Sequence, residues 1–588
     1  MDPIKVDFSK KDGGRKKDIV IPPEKAALKI VLSLLCSAVF AAVLFYFMLP
    51  ALNFKAYDLY IYIGAVAASY VVFNAIFANV FGKPEYVPYV KRRAVVPGII
   101  IAALLVTVGV GYVVSCEFFR ASSYSQIIEV DTDSNFADEI EEQTADSFSE
   151  IPKLDEASAA QLAARALGAL KDIGSVSQFT IAPENSQINY QGKPHRVVPL
   201  QYADIIKWLV NTRDGFPGYV LVNMADESTE FVELKDGSIK YSAYEHFNKL
   251  LKRHLRFEYP TYMFADATFE VNDNGDPFWI CARLDKTIGM FGGTDVIGIV
   301  LVDAVTGDCV EYSMEQLKSD ASLQWIDRVY DSDLIIQQYD FYGKYQNGFW
   351  NSLLGQKDVI KTTDGYNYIA RNDDVWMYTG VTSVTSDQSI IGFVLVNQRT
   401  KEASFYNVTG GTEYSAQQAA EGRVMDLGYS ATFPLLLNIG GEPTYFLSLK
   451  DPKNQIVQQY ALINVANYNN NKMGVTGTDL SKCLASYIES LKQKGITVDI
   501  NPDEVVTPGT DETPVVVSKE SVTGVITDIR TAVMGGESYY YVKLDGNAAY
   551  FVIAAVKEQS VVILNKGDTV TVTYSGEGSI ISADSIKK

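Results

Sequence analysis

Gly218-Tyr219-Val220-Leu221-Val222-Asn223 returns twice along the chain, as Gly298-Ile299-Val300-Leu301-Val302-Asp303 and as Gly392-Phe393-Val394-Leu395-Val396-Asn397. A worn fourth copy reads Gln459-Tyr460-Ala461-Leu462-Ile463-Asn464. Each is a short β-branched run, apolar at nearly every position and closed by a turn-forming Asn or Asp. That pattern predicts a central strand entering a hairpin. Recurrence at unequal intervals predicts a series of related modules with insertions, not a regular solenoid. Val220, Val300 and Val394 are therefore expected at equivalent buried sheet positions.

The flanks of these strands repeat as well. Upstream lie Gly192-Lys193-Pro194, Gly275-Asp276-Pro277 and Gly441-Glu442-Pro443, with Asn372-Asp373-Asp374 in the remaining copy. Proline has no N–H for a ladder, so it suits the opening residue of a strand or an edge. Downstream come Tyr241-Ser242-Ala243, Tyr312-Ser313-Met314 and Tyr414-Ser415-Ala416, where the serine can cap a following helix. The fourth copy repeats Val408-Thr409-Gly410 as Val475-Thr476-Gly477, then enters a helix from Asp479. The expected unit is a helix, a strand, the Val-Leu-Val strand and a closing strand, starting near residues 155, 242, 313 and 415. Residues 155–170, rich in alanine, form the first helix. The fold class is α+β.

This helix-plus-meander unit, with a glycine-bearing turn before an aromatic strand (Gly275-Asp276-Pro277-Phe278-Trp279), resembles the PepSY module. The resemblance implies four copies over residues 155–497, in a fold that occurs outside membranes beside peptidases and sensors and acts by inhibition or binding. The whole layout resembles uncharacterised multi-pass membrane proteins of low-GC Gram-positive bacteria. That likeness implies an arrangement and no activity.

Ahead of the repeats, residues 30–49, 61–81 and 94–114 are apolar over lengths that cross a bilayer core of about 30 Å. The tail at 1–29 carries eight Lys/Arg, the second loop carries Lys83, Lys91, Arg92 and Arg93, and the first loop only Lys55. Cationic segments stay in the cytoplasm, which predicts a multi-pass plasma-membrane anchor (residues 30–116) with a cytoplasmic N-terminus and an extracytoplasmic C-terminal domain. Net charge is −20, divided unevenly: residues 1–120 hold 14 Lys/Arg against 8 Asp/Glu, and residues 121–588 hold 37 against 63. An acidic exported domain repels polyanions, which argues against nucleic acid as a partner. Five cysteines do not make a disulfide framework, and only Cys281 and Cys309 are candidates to pair.

Residues 117–154 read as an acidic stalk. Between 121 and 156 stand 11 Asp/Glu and a single Lys, with no hydrophobic period, so a solvated spacer is expected. Asp131-Thr132-Asp133-Ser134-Asn135 imitates the start of a calcium loop, but Phe136 replaces the glycine of its sharp turn. Residues 498–517, rich in Thr, Pro and acids, read as a linker. Residues 518–588 follow as short strands that resemble a small OB-type β-barrel. Its 7 Lys/Arg and 8 Asp/Glu nearly cancel, which favours protein or glycan over nucleic acid.

His195, His246 and His254 are the chain's three histidines, and no metal pair, nucleophile elbow or phosphate loop accompanies them. Solvated helix positions are expected for His246 and His254, and a strand edge for His195. No catalytic residue, cofactor or metal site is expected. The candidate binding residues are Gly289, Phe291, Gly292, Gly293 and Asp295, because glycines let backbone approach a ligand and Phe291 would stand exposed at a hairpin tip. The aromatic group Tyr339, Phe341, Tyr342, Tyr345, Phe349 and Trp350 is expected to pack between modules. These features predict a membrane-anchored binding or scaffolding protein of the cell envelope. Its partners would be the lipid bilayer and envelope proteins or cell-wall glycan. The alternative is a subunit of a transport, secretion or wall-assembly complex. A hydrolase is less favoured, since no nucleophile–base set is present.

Overall fold

The computed structural model describes residues 20–505 and 520–588, apart from 170–176, 236, 372, 386–388, 469–472, 535–536, 548, 556–557 and 575–579. It divides into two compact units, whose boundary in the sequence follows residue 508. In the first, helices Ala26–Met48, Tyr57–Ala78 and Val95–Ser115 are long and apolar enough to cross a membrane. Lys91, Arg92 and Arg93 end the short helix Val87–Arg93, which leads into the third span.

After the spans, the described residues build one meander four times. A first strand turns into a second, the second pairs with the Val-Leu-Val strand, and that pairs with a closing strand. In the first sheet these are Ser186–Tyr190, Lys193–Val198, Gly218–Asn223 and Thr229–Glu233. The second uses Thr268–Val271, Pro277–Ile288, Gly292–Asp303 and Cys309–Ser313. The third uses Asn367–Arg371, Asp374–Ser383, Gly392–Asn397 and Ala403–Tyr406. The fourth uses Leu435–Ile439, Glu442–Lys450, Val457–Asn464 and Gly474–Gly477. The registers correspond. Val220 lies between Val198 and Phe231, Val300 between Cys281 and Glu311, and Val394 between Thr379 and Phe405. All three valines are fully buried.

The unbroken apolar runs have a physical cause in the stacking. Alternate residues of a strand face opposite sides. From the second sheet, Trp279, Cys281, Val300 and Val302 enter a core shared with the first sheet, while Ile280, Ala282, Ile299 and Leu301 enter one shared with the third. In the third sheet, Met377, Val394 and Val396 face the second, whereas Tyr378, Phe393 and Leu395 face the fourth. A sheet covered on both faces needs apolar residues at every position, not at every other one.

Helices precede the sheets at Glu156–Ala169, Leu251–Glu258, Ser332–Tyr345 and Glu413–Arg423. All three expected serine caps need correction. Ser242 accepts the Tyr244 N–H but caps no helix, since Leu251–Glu258 begins at Leu250 without a side-chain cap. Ser313 does cap a helix, with Gln316 completing a capping box, but that helix is the short Met314–Ser319, and the helix before the third sheet is Ser332–Tyr345. Thr412, not Ser415, caps the fourth; its side chain accepts the Ser415 N–H. Asp479 caps Leu480–Lys492 as expected.

The acidic stretch is not a free spacer. Val130–Asp131 adds a parallel strand beside Ala403–Tyr406, and Asn438 Nδ2 donates to the Ile140 carbonyl at 2.7 Å. Phe136, Ile140, Phe148 and Ile151 are buried in the core of the third and fourth sheets. The linker also begins later than its composition suggests. Val498, Ile500 and Val505 belong to that same core, and residues 506–519 lie outside the described residues.

The second unit contains strands Glu520–Met534, Glu537–Leu544, Tyr550–Ala554, Thr569–Tyr574 and Ile580–Lys587, whose pairing closes into a barrel. Val542, Phe551, Val572 and Ile586 fill its interior.

Candidate functional site

The hairpin joining Pro277–Ile288 to Gly292–Asp303 is where the sheet body meets the spans. Gly289 and Gly293 adopt positive φ of 62° and 63°, which turns the chain back within four residues. Ser115, at the end of the third span, accepts the Met290 and Phe291 N–H groups on its Oγ at 2.8 and 2.9 Å. The same hydroxyl donates to the Gly111 carbonyl. Tyr124 donates to the Ser115 carbonyl at 2.8 Å and lies against Gly292.

Phe291 is therefore buried, not exposed: 6 % of its surface is open. Its ring stacks on Tyr57 at 4.3 Å, meets Tyr60 edge-on at 5.8 Å, and covers Gly111. Asp295 is also occupied internally. Lys401 Nζ bridges both its carboxylate oxygens at 2.7 and 2.8 Å, and Gln338 Nε2 donates to it. Of the five expected binding residues, Gly289, Phe291, Gly292 and Gly293 form the clamp to the anchor, and Asp295 ties the second sheet to Lys401 in the third.

A second set of contacts completes this seam. Arg256 donates to the Leu49 carbonyl at 3.0 Å, and Arg253 donates to the Tyr46 carbonyl while its guanidinium lies 4.0 Å from the Tyr46 ring centroid. Lys55 bridges Asp285 at 2.8 Å. From the aromatic group, Tyr339 and Tyr345 are buried, Phe349 and Trp350 pack on Phe118, and Tyr345 donates to Glu117. Trp350 itself is exposed. A sequence signal for this seam exists in Gly111 and Ser115, small residues one turn apart on a membrane helix, the pattern that allows close approach. Nothing comparable marks Arg253 and Arg256.

The histidines serve packing. His195 is buried in an interior strand, paired on both sides, and not at an edge. His254 contacts the Gly307 carbonyl at 2.7 Å and Cys309 Sγ at 3.5 Å, so it is not a solvated helix position; His246 precedes the helix. Cys281 and Cys309 are free thiols on strands that flank the central one on opposite sides. Asn272-Asp273-Asn274-Gly275-Asp276 closes a tight turn in which Asn272 Oδ1 accepts the Asn274 and Asp276 N–H groups.

Two cavities lie beside one another among the sheets, of about 490 and 240 Å³, with Glu156 and Arg328 in both walls. Their polarities differ. The larger carries Glu184, Asp266, Asp331 and Asp333; the smaller carries Lys153, Arg196 and Arg328 with Asp155 and Glu156. Close to Arg328, Glu270 accepts the backbone N–H groups of Asp327 and Arg328 at 2.9 Å each. Burial pushes the Glu270 carboxyl up to about 7, and burial with the neighbouring Glu270 raises Asp327. None of these polar residues was singled out in the sequence as a site. Lys153, the lone cation of an acidic stretch, was the available signal. No family model matches this chain, and no curated protein matches it.

Proposed function

We propose that this chain is a membrane-anchored binding or scaffolding protein of the cell envelope, holding its sheet body in a fixed orientation against the bilayer. The observation that carries the reading is the seam: Ser115, Gly111, Tyr57 and Tyr60 grip the Phe291 hairpin while Arg253 and Arg256 hold the end of the first span. A tethered domain needs no such grip; a platform that presents a surface does. The basic residues at 83–93 stand at the opposite end of the third span from Gly111 and Ser115, which supports a cytoplasmic N-terminus and an extracytoplasmic body. The meander with its leading helix supports kinship with PepSY modules, and the closed five-stranded ring supports an OB-like terminal module. With the hairpin occupied, the barrel becomes the first choice for contact with envelope proteins or cell-wall glycan.

The seam also favours one alternative, a subunit of a transport, secretion or wall-assembly complex. A body locked to three spans can pass a displacement to them. Crosslinking in cells separates the two readings. Loss of partners on deleting residues 506–588 supports the binding platform. An unchanged partner set, with crosslinks on the spans, supports the complex subunit. Protease applied to intact protoplasts should trim the body and leave the spans, and survival of the full-length chain would refute the orientation.

A further inference from the structure

Two groups of exposed apolar side chains stand where the sheet body leaves the spans. The first adjoins the end of the first span. Phe257 packs edge-on against Phe45 at 5.9 Å, and Tyr46 donates to Asn248 Oδ1 at 3.1 Å. The neighbouring Phe247 stacks on Trp208 at 5.4 Å, and Lys249 Nζ donates to the Thr212 carbonyl at 2.8 Å. These contacts bring helix Ile205–Asn211 beside the span. Trp208 Nε1 donates to Glu245 at 3.0 Å and holds the helix to the body. Ile205, Ile206, Leu209 and Val210 share the opposite face, and each is more than half exposed, as are Phe247 and Phe257. The second group adjoins the third span. Phe118, just beyond Ser115, meets Trp350 edge-on at 5.8 Å, and Leu353 and Leu354 follow in the turn Asn351–Gly355. Trp350, Leu353 and Leu354 are 61, 58 and 76 % exposed.

Between residues 125 and 505, fourteen large apolar side chains are exposed among the described residues, and nine of them belong to these two groups. Apolar residues exposed singly are ordinary on any surface, whereas a concentration at two places marks a contact. Both places lie on one side of the bilayer, because the first and third of three successive spans run in the same direction. Phe47 and Phe119, at the same two span ends, are exposed as well, so each group continues a surface that the spans already turn to lipid. Aliphatic side chains with tryptophan beside them suit the boundary between hydrocarbon and headgroups.

We propose that both groups are immersed in the bilayer leaflet that the sheet body faces, so that the body is held by lipid on two flanks as well as through its spans. The inference rests on reading the three apolar helices as membrane spans. It is independent of which partner the barrel or the spans engage.

The chain's five tryptophans report on this directly, because none lies in a span. Trp208 and Trp350 belong to the two groups, Trp279 and Trp376 are buried in the sheets, and Trp325 packs on Phe278 at 5.2 Å. The test is indole fluorescence of the full chain in phosphatidylcholine vesicles, with and without bromine, a short-range quencher, near the headgroup end of the acyl chains. Brominated lipid should remove the emission of Trp208 and Trp350 and spare the other three. Trp208→Phe and Trp350→Phe should each take away part of that loss, and the double variant all of it. Equal emission of wild type in the two lipids overturns the proposal and leaves a second copy or a protein partner to cover the two groups. A loss that either single variant leaves undiminished overturns it too. Washing with alkaline carbonate separates this inference from the reading beneath it. Vesicles that retain the chain without quenching refute the lipid contact alone, and release of the chain refutes the spans and the contact together.

Discussion

Gly111 has no side chain because the Phe291 ring occupies the space where a Cβ would project. A Gly111→Leu chain should lose the hairpin seat: lower melting in detergent and faster protease cutting around residues 285–295. Gly109→Leu, where a Cβ meets nothing, should leave both unchanged. Equal behaviour of the two variants would mean that the seam contributes nothing. Glu270 and Asp327 support a second prediction at this scale. Burial holds both carboxyls above the ordinary range, so the native chain retains protons that the unfolded chain releases. Their contribution to stability is then present in acid and is lost as pH rises from 4.5, the ordinary Glu value, through about 7. Asp327→Asn should flatten that fall, which urea titrations at several pH values can read. The expected exposure of Phe291 failed for a definite reason: a Gly-Met-Phe-Gly-Gly tip looks the same whether solvent or an apolar helix lies beyond it.

Among the elements, the Val-Leu-Val strands were legible because each carries its own evidence, an apolar run with a turn residue at its end. Their cover on both faces, which the sheet stacking reveals, accounts for the absence of alternation. The acidic stretch was not legible. The four residues it gives to the core of the third and fourth sheets, Phe136, Ile140, Phe148 and Ile151, are scattered among carboxylates at no regular period, and short helices and a two-residue strand offer none. What binds that stretch is a set of single anchors in a core made by distant sheets. Phe148 is fully buried and packs edge-on against Phe446 at 6.3 Å. Phe148→Ala should cost about 3–5 kcal/mol, visible as a lower denaturant midpoint with an unchanged slope. A solvated spacer would show no change, and that result would return the stretch to its expected role as a stalk. The same limit explains the third helix. Ser313 announces a helix correctly, yet only the sheet order reveals that Ser332–Tyr345 is the one equivalent to the others.

The whole molecule is two units, each closing its own core, and the division falls later than composition suggests. Thr, Pro and acidic residues begin after Asn501, so a linker from 498 is a fair expectation. Val498, Ile500 and Val505 nevertheless reach into the core of the third and fourth sheets, near Leu484 and Ile488 of the preceding helix. Two truncations therefore diverge. A chain ending at residue 505 retains every one of these contacts and should melt with wild type in detergent. A chain ending at residue 497 gives up three buried aliphatic side chains, each worth about 1.5–3 kcal/mol in transfer alone. It should melt clearly lower, with earlier cleavage in Leu480–Lys492, whose buried face those residues help cover. Coincident melting of both truncations would restore the linker to 498. A fall in the longer chain as large as in the shorter would make the barrel a structural cap, and the partner contacts assigned to it would have to be sought on the sheets or the spans.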